Sequence, residues 1–285
     1  MSGAASPRMG QWSKDKLSLL GQYLHAYSVI MSKQKAKWLQ SYGYVDAFAG
    51  PGQYSDVEHR VYVEGSPRVA LACEPPFDEF WFVERSPRRL DQLKQLVACD
   101  FPNLTPRVNF CHGDANAVLK DEILPLVTLS NHRRGFLFLD PYGLDVHFST
   151  LQSVADAQTF DVFINFSVMG ITRILEREDA PDQQTLDIVE RVMGDSGWVD
   201  NLYWTQPTLF GEERSRRAQL KAQDVALQYG SRLRTCFPFV SEPVVMRNSK
   251  EVALYALVLA SHNRAAANIT NDIFRRYERL RGLGN

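Results

Sequence analysis

Apolar residues follow two different spacings along the chain. Leu17, Leu20, Leu24 and Tyr27 recur at helical spacing and predict a helix within residues 13–40, with Ser13 as a candidate cap. YGYVDAF (42–48) is instead a short continuous apolar run that stops at Ala49-Gly50-Pro51-Gly52. That reads as a buried strand entering a tight turn. The strand signature returns at FWFVE (80–84), PRVNFC (106–111), GFLFLD (135–140) and DVFINF (161–166). Helices are predicted between them: one opening at Ser66-Pro67, then 87–99, 114–129 and 149–157. Strands apolar on both sides that alternate with helices predict an α/β fold, a mostly parallel sheet covered on both faces.

The pattern changes after residue 166. Residues 167–205 read as helical and irregular, and 212–235 as a long charged helix. VVMRN (244–248) and VALYALVLA (252–260) predict an antiparallel hairpin at the sheet edge, and a last helix spans about 264–280. Residues 53–65 are polar and form a loop or small hairpin. Residues 1–11 are expected to be disordered. This leaves 12–285 as a single domain with a helical elaboration at about 167–240.

Composition adds limits. The 285 residues are 45% hydrophobic and 23% charged, ordinary for a soluble enzyme and enough to build a core without disulfides or metal. No apolar run reaches about 18 residues, so no membrane-spanning helix is expected. Cys73, Cys99, Cys111 and Cys236 form no CxxC pair, and no metal site is expected. With no signal peptide evident, reduced thiols and a cytoplasmic location are expected. The net charge of −1 hides an uneven distribution. Residues 1–40 carry six Lys or Arg against one Asp, and residues 211–285 carry 13 basic against seven acidic residues, while the middle is acidic. If the ends meet in the fold, they form a basic face for a polyanion.

Chemistry is expected where parallel strands end, because the loops there gather around the switch point of the sheet. The first such feature is Asp46-Ala47-Phe48-Ala49-Gly50-Pro51-Gly52, whose glycines let backbone approach a ligand closely. It is neither a GxGxxG fingerprint nor a P-loop. Glu84 ends the second strand and could accept both ribose hydroxyls of a nucleotide, or simply face solvent. Asp114, in Gly113-Asp114-Ala115-Asn116, could cap the next helix or accept from an adenine amino group. Asp140-Pro141-Tyr142-Gly143 puts an acid at a strand tip beside a ring on which a base could stack, or forms a tight turn around a partly buried Tyr. Asn165 either lines the same cleft or satisfies backbone groups. His147 follows that loop as a possible base or an ordinary loop histidine.

The order of these features resembles the class I S-adenosylmethionine-dependent methyltransferases. The resemblance implies that Asp46, Phe48, Ala49, Gly50 and Gly52 hold the methionine part of S-adenosylmethionine. Glu84 would hold its ribose and Asp114 its adenine, with Asp140, Pro141 and Tyr142 as the catalytic motif. More closely, the chain is similar to the three-Cys-motif partner (TcmP) family. YVDAFAGPG (44–52), EGSPRVAL (64–71), FVE (82–84), GDAN (113–116), FLDPYG (138–143), DVFINFSVMGITR (161–173) and ALYALVLASHNRAAANI (253–269) carry that likeness. It implies a partner, a radical-S-adenosylmethionine-like protein with three cysteines. Two features depart from the methyltransferase pattern. The aromatic stands one place earlier than in D/N-P-P-Y/F, nearer to the DPFG form of some tRNA guanine-N2 enzymes. Twelve residues also separate Gly52 from Gly65, a candidate lid or partner flap.

The expected reaction is N-methylation of an exocyclic amine on a nucleic-acid base, with Asp140 and a nearby peptide oxygen accepting its protons. No cysteine stands in the loop to serve as a nucleophile. Arg214, Arg217 and Lys221, at i, i+3 and i+7 of the charged helix, together with Asn165, are the candidate substrate contacts. The alternative is a solvated face paired with Glu212 and Glu213. Two other readings stay open: a non-catalytic Rossmann-like partner protein, and a small-molecule methyltransferase.

Overall fold

The computed structural model describes residues 11–56, 61–176, 180–207 and 213–281. The residues expected to be disordered at the start thus lie outside the described residues, except Gln11, which opens α1 (Gln11–Lys35). Helix α1 buries Leu17, Leu20, Leu24 and Tyr27. Ser13 lies inside this helix rather than capping it, because the chain is already helical two residues earlier.

The remaining elements of the first half are β1 (Ser41–Asp46), β2 (Gln53–Asp56), β3 (Val61–Glu64), α2 (Ser66–Leu71), β4 (Glu79–Glu84), α3 (Pro87–Asp100), β5 (Val108–His112), α4 (Ala115–Val118), β6 (Arg133–Leu139) and α5 (Phe148–Ala157). The second half has β7 (Phe160–Phe166), α6 (Val168–Leu175), α7 (Gln183–Met193), β8 (Tyr203–Pro207), β9 (Glu213–Arg217), α8 (Ala222–Leu233), β10 (Phe239–Val240), β11 (Val244–Arg247), β12 (Ala253–Ser261) and α9 (Arg264–Leu280).

The main sheet runs β5-β4-β1-β6-β7-β12-β10, with β11 also paired to β12. The β1–β4, β1–β6, β4–β5 and β6–β7 pairs are parallel, and β12 is antiparallel to β7, β10 and β11. This is the expected α/β, Rossmann-like sheet with an antiparallel C-terminal hairpin. The strand order reverses direction beside β1, so the loops after β1 and β6 diverge and open a crevice at their carboxyl ends.

Side chains alternate across the strands, and the two faces differ in kind. Tyr44, Phe80, Phe82, Phe136, Phe138 and Phe163 point to one face, where α1, α2, α3 and α9 cover them. Tyr44 and Phe136 stack there with ring centroids 5.9 Å apart. Val45, Val83, Leu137, Leu139, Val162 and Ile164 point to the other, beneath helices α4 to α8. The basic chain ends do meet: α1 packs on α9, and Tyr277 donates to Asp15 at 3.1 Å.

Two expectations fail in detail. Residues 212–235 are not one helix, since 213–217 form β9, paired antiparallel with β8, and α8 begins at Ala222. The run Glu-Arg-Ser-Arg-Arg has no apolar positions to set a period, so only its partner strand fixes its conformation. The 167–240 elaboration therefore contains a β-hairpin as well as helices. The predicted 114–129 helix is broken too. After α4 it continues as a wider π turn over Leu119–Ile123 and a 3₁₀ turn over Leu124–Leu126, where Pro125 supplies no backbone N–H. Within the segment expected as a loop or small hairpin, Gln53–Asp56 and Val61–Glu64 form the antiparallel pair β2–β3.

Candidate functional site

A cleft of about 1060 Å³ lies at the carboxyl ends of β1, β4, β5 and β6. It is walled by Phe48, Gly50, Glu84, Asp114 and Asp140–Tyr142, and closed from the side by the start of α1. The motifs that lie far apart in the sequence therefore face one space.

The turn after β1 is held by backbone amides together with the Tyr44 and Ser66 side chains. Asp46 is fully buried, accepts from the Phe48 amide at 3.2 Å and from the Tyr44 hydroxyl at 3.2 Å, and is also bonded by the Ser66 side chain. Burial pushes its carboxyl up to about 7, against those hydrogen bonds and with the nearby Asp140 charge acting in the same direction as burial. Gly50 and Gly52 have φ of +61° and +78°, a region other residues rarely adopt. The Gly50 amide donates to Glu84 at 3.0 Å, which ties the turn to the end of β4. Gly65 donates to the Gly52 carbonyl at 2.9 Å, and a side chain at Gly65 would stand 2.8 Å from that oxygen. The β2–β3 hairpin thus leaves and returns to the same turn.

Glu84 is buried and accepts from the Gly50 and Ser86 amides, at 3.0 and 2.7 Å, and from Arg89 at 3.0 Å. It is therefore not a solvent-facing strand-end residue. Asp114 is the cap of α4, accepting from the Asn116 and Ala117 amides at 3.0 and 3.2 Å, and it also lines the cleft. Asp114 thus caps α4, one of its two expected roles, and also faces the cleft. Phe48 and Gly50 line the cleft, whereas Asp46, Ala49 and Gly52 do not and shape its wall from beneath. Ala49 is buried and donates to the Val83 carbonyl at 2.9 Å.

The loop after β6 is held by side chains from distant parts of the chain. Lys16 of α1 forms an ion pair with Asp140 Oδ2, and Asn165 Nδ2 donates to Asp140 Oδ1 at 2.6 Å. Asn165 is buried, faces a small pocket behind the loop rather than the cleft, and leaves its Oδ1 without a partner among the described residues. Its side chain thus serves Asp140, not backbone groups. Asn116 Nδ2 donates to the Asp145 carbonyl, while Asn116 Oδ1 accepts from the His147 amide and the Thr150 hydroxyl, at 2.8, 3.0 and 2.9 Å. That fastens the 140–147 loop to α4. Pro141 is buried and Tyr142 is 90% exposed at the mouth. His147 also lines the cleft.

Lys16, Trp12 and Tyr255 are cleft residues that motif reading missed. Trp12 and Tyr255 stack with centroids 5.0 Å apart, and the Lys16 ammonium sits 5.3 Å from the Trp12 ring. One signal was available: Lys16 stands on the apolar stripe of α1, one turn before Leu20. By contrast, Arg214 and Arg217 are on strand β9, and exposed Lys221 precedes α8 outside the cleft wall. The three share no helix face. The cleft carries other cations, Arg85, Arg89, Arg173 and Arg191. Among the described residues no group of acids, histidines or cysteines is arranged to hold a metal ion, and no helix is long and apolar enough to cross a membrane.

No family model matches the chain, and no curated protein matches it. Solved structures do. Protein LPL1258 from Legionella pneumophila, of family model DUF519, aligns over 94% of this chain and 94% of its own, with 12% identity and a TM-score of 0.52. Spermidine synthase from Thermotoga maritima aligns over 91% of this chain and 63% of its own, with 10% identity and a TM-score of 0.46. The methyltransferase domain of bacterial CtHen1 aligns over 85% and 99%, with 9% identity and a TM-score of 0.38. The Legionella protein and this chain share a fold.

The residues present fit a nucleoside cofactor bearing an amino-acid tail. A positive-φ glycine turn admits close backbone approach, the buried acid Glu84 ends β4, and the cleft has room for the group.

Proposed function

We propose that the chain is an S-adenosylmethionine-dependent methyltransferase acting on the exocyclic amine of a nucleic-acid base. The observation that carries this reading is the convergence of the Asp46–Gly52 turn, Glu84, Asp114 and Asp140–Tyr142 on one cleft at the switch point of the sheet. The cofactor supplies an electrophilic methyl group. Gly50 and Phe48 would hold its methionine part, Glu84 would take the ribose hydroxyls on lone pairs its amide donors leave free, and Asp114 would accept from the adenine amino group.

Asp140 would accept an amine N–H and localise the nitrogen lone pair, with Tyr142 a face for the base; the N–CH3 bond would form as the S–CH3 bond breaks, S-adenosylhomocysteine would leave, and the surplus amine proton would pass to solvent. The exposed cations Arg173 and Arg191 on the cleft wall suit the phosphates of a single-stranded or flipped-out target. The three-Cys-motif partner resemblance rests on its motifs alone, and a radical-S-adenosylmethionine-like partner follows only from it.

One observation favours the second reading, a non-catalytic partner protein: both oxygens of Asp140 are already engaged. Two measurements separate the readings. Calorimetry with S-adenosylhomocysteine should give saturable one-to-one binding that Glu84→Ala weakens by about tenfold or more. Labelled methyl transfer to mixed RNA and DNA should fall about 100-fold in Asp140→Ala, with S-adenosylhomocysteine affinity kept within about threefold. No binding by the folded wild type would end the methyltransferase reading. Binding without transfer in the wild type would favour the partner protein.

A further inference from the structure

Lys16 is the one buried cation on the cleft wall among the described residues; Arg85, Arg89, Arg173 and Arg191 are exposed, and Arg89 is bridged to Glu84. An ammonium carries three N–H donors. Asp140 takes one, and Lys16 has no other hydrogen-bond partner among the described residues. An ammonium on the cleft wall can therefore hold Asp140 and a second, ligand-borne acceptor at once.

Its position indicates which acceptor. Strands β1 and β6 are neighbours with Asp46 opposite Phe138, two residues before Asp140, so the Lys16–Asp140 pair stands beside the glycine turn. Glu84, Asp114, Asp140 and Asp145 make the wall rich in acids. A ligand carboxylate brought among them needs a cation, and in this part of the cleft Lys16 supplies it.

We propose that Lys16 anchors the α-carboxylate of the cofactor's amino-acid tail while the same ammonium holds Asp140 in place. This rests on the methyltransferase reading. It makes α1 part of the cofactor site and couples tail binding to the aim of the motif acid.

The test compares S-adenosylhomocysteine with its decarboxylated analogue, which keeps the adenosine, thioether and amine. Calorimetry on the full chain should show the wild type binding S-adenosylhomocysteine about tenfold or more tightly than the analogue. Lys16→Met should erase that gap by weakening S-adenosylhomocysteine alone, and Lys16→Arg should keep most of it. A gap that persists in Lys16→Met, or equal loss for both ligands, would overturn the anchor. The wild-type comparison needs no variant to fold: equal affinities there overturn this proposal and leave the methyltransferase reading standing. Failure of the wild type to bind either ligand overturns both.

Discussion

The two halves of the cleft are built differently. On the β1–β4–β5 side, every acid accepts from backbone amides close by, Phe48 on Asp46, Gly50 and Ser86 on Glu84, Asn116 and Ala117 on Asp114, with the Tyr44 and Ser66 side chains added on Asp46 and Arg89 on Glu84. On the β6–β7 side, Asp140 is fixed by Lys16, 124 residues away in sequence, and Asn165, 25 residues away, while Tyr142 projects into solvent. Amide-held groups are set when the turn forms and have little freedom afterwards. Groups held by side-chain pairs depend on how separate elements dock and can exchange partners without refolding. A site that keeps one ligand in place and admits a second, variable one gains from this division.

The largest effect that would test the contrast lies on the amide-held side. Asp46 takes up its proton more readily in the folded chain than in the unfolded one. The stability this contributes is complete below about pH 4 and is lost as pH rises to about 7. That loss amounts to about 4 kcal/mol. Urea unfolding from pH 4 to 8 should show a falling trend in the wild type that Asp46→Asn reduces by about this amount. An identical trend in both chains would mean Asp46 is not the buried, desolvated group of this turn.

Gly52→Ala comes next. Its φ of +78° and the Leu93 methyl, 2.6 Å from the new Cβ, should together cost about 2 kcal/mol of stability, read as a lower urea midpoint at unchanged slope. No change would show that the turn relaxes freely. The smallest effect is on the other side. Tyr142 is almost fully exposed, so Tyr142→Ala should alter stability by less than about 0.5 kcal/mol, and under the proposed function it should reduce methyl transfer. A large loss of stability would place the ring in the fold rather than at the mouth.

Legibility in the sequence follows the same line. FWFVE and GFLFLD read as strands because both of their faces are buried, and α9 was found at Arg264–Leu280 because its amphipathic period is strong. The residues 213–217 were misread because a charged strand with no apolar alternation is identified only by its partner. Asp114 and Glu84 were visible because a strand end followed by a helix start is a local pattern. Lys16 was passed over because its meaning depends on Asp140, and a lysine on an apolar stripe is also a common snorkelling residue.

The alternation of strands and helices, the glycine turn and the acids at the strand ends are written in the amino-acid order. These follow from local sterics and burial periodicity, which act over a few residues. That α1 reaches Asp140, that Asn165 serves Asp140 rather than the cleft, and that the basic ends pack together are products of the folded arrangement. Those contacts join residues 25 to 262 positions apart. No local preference encodes them; the sheet order and the docking of α1 over it bring the partners within bonding distance.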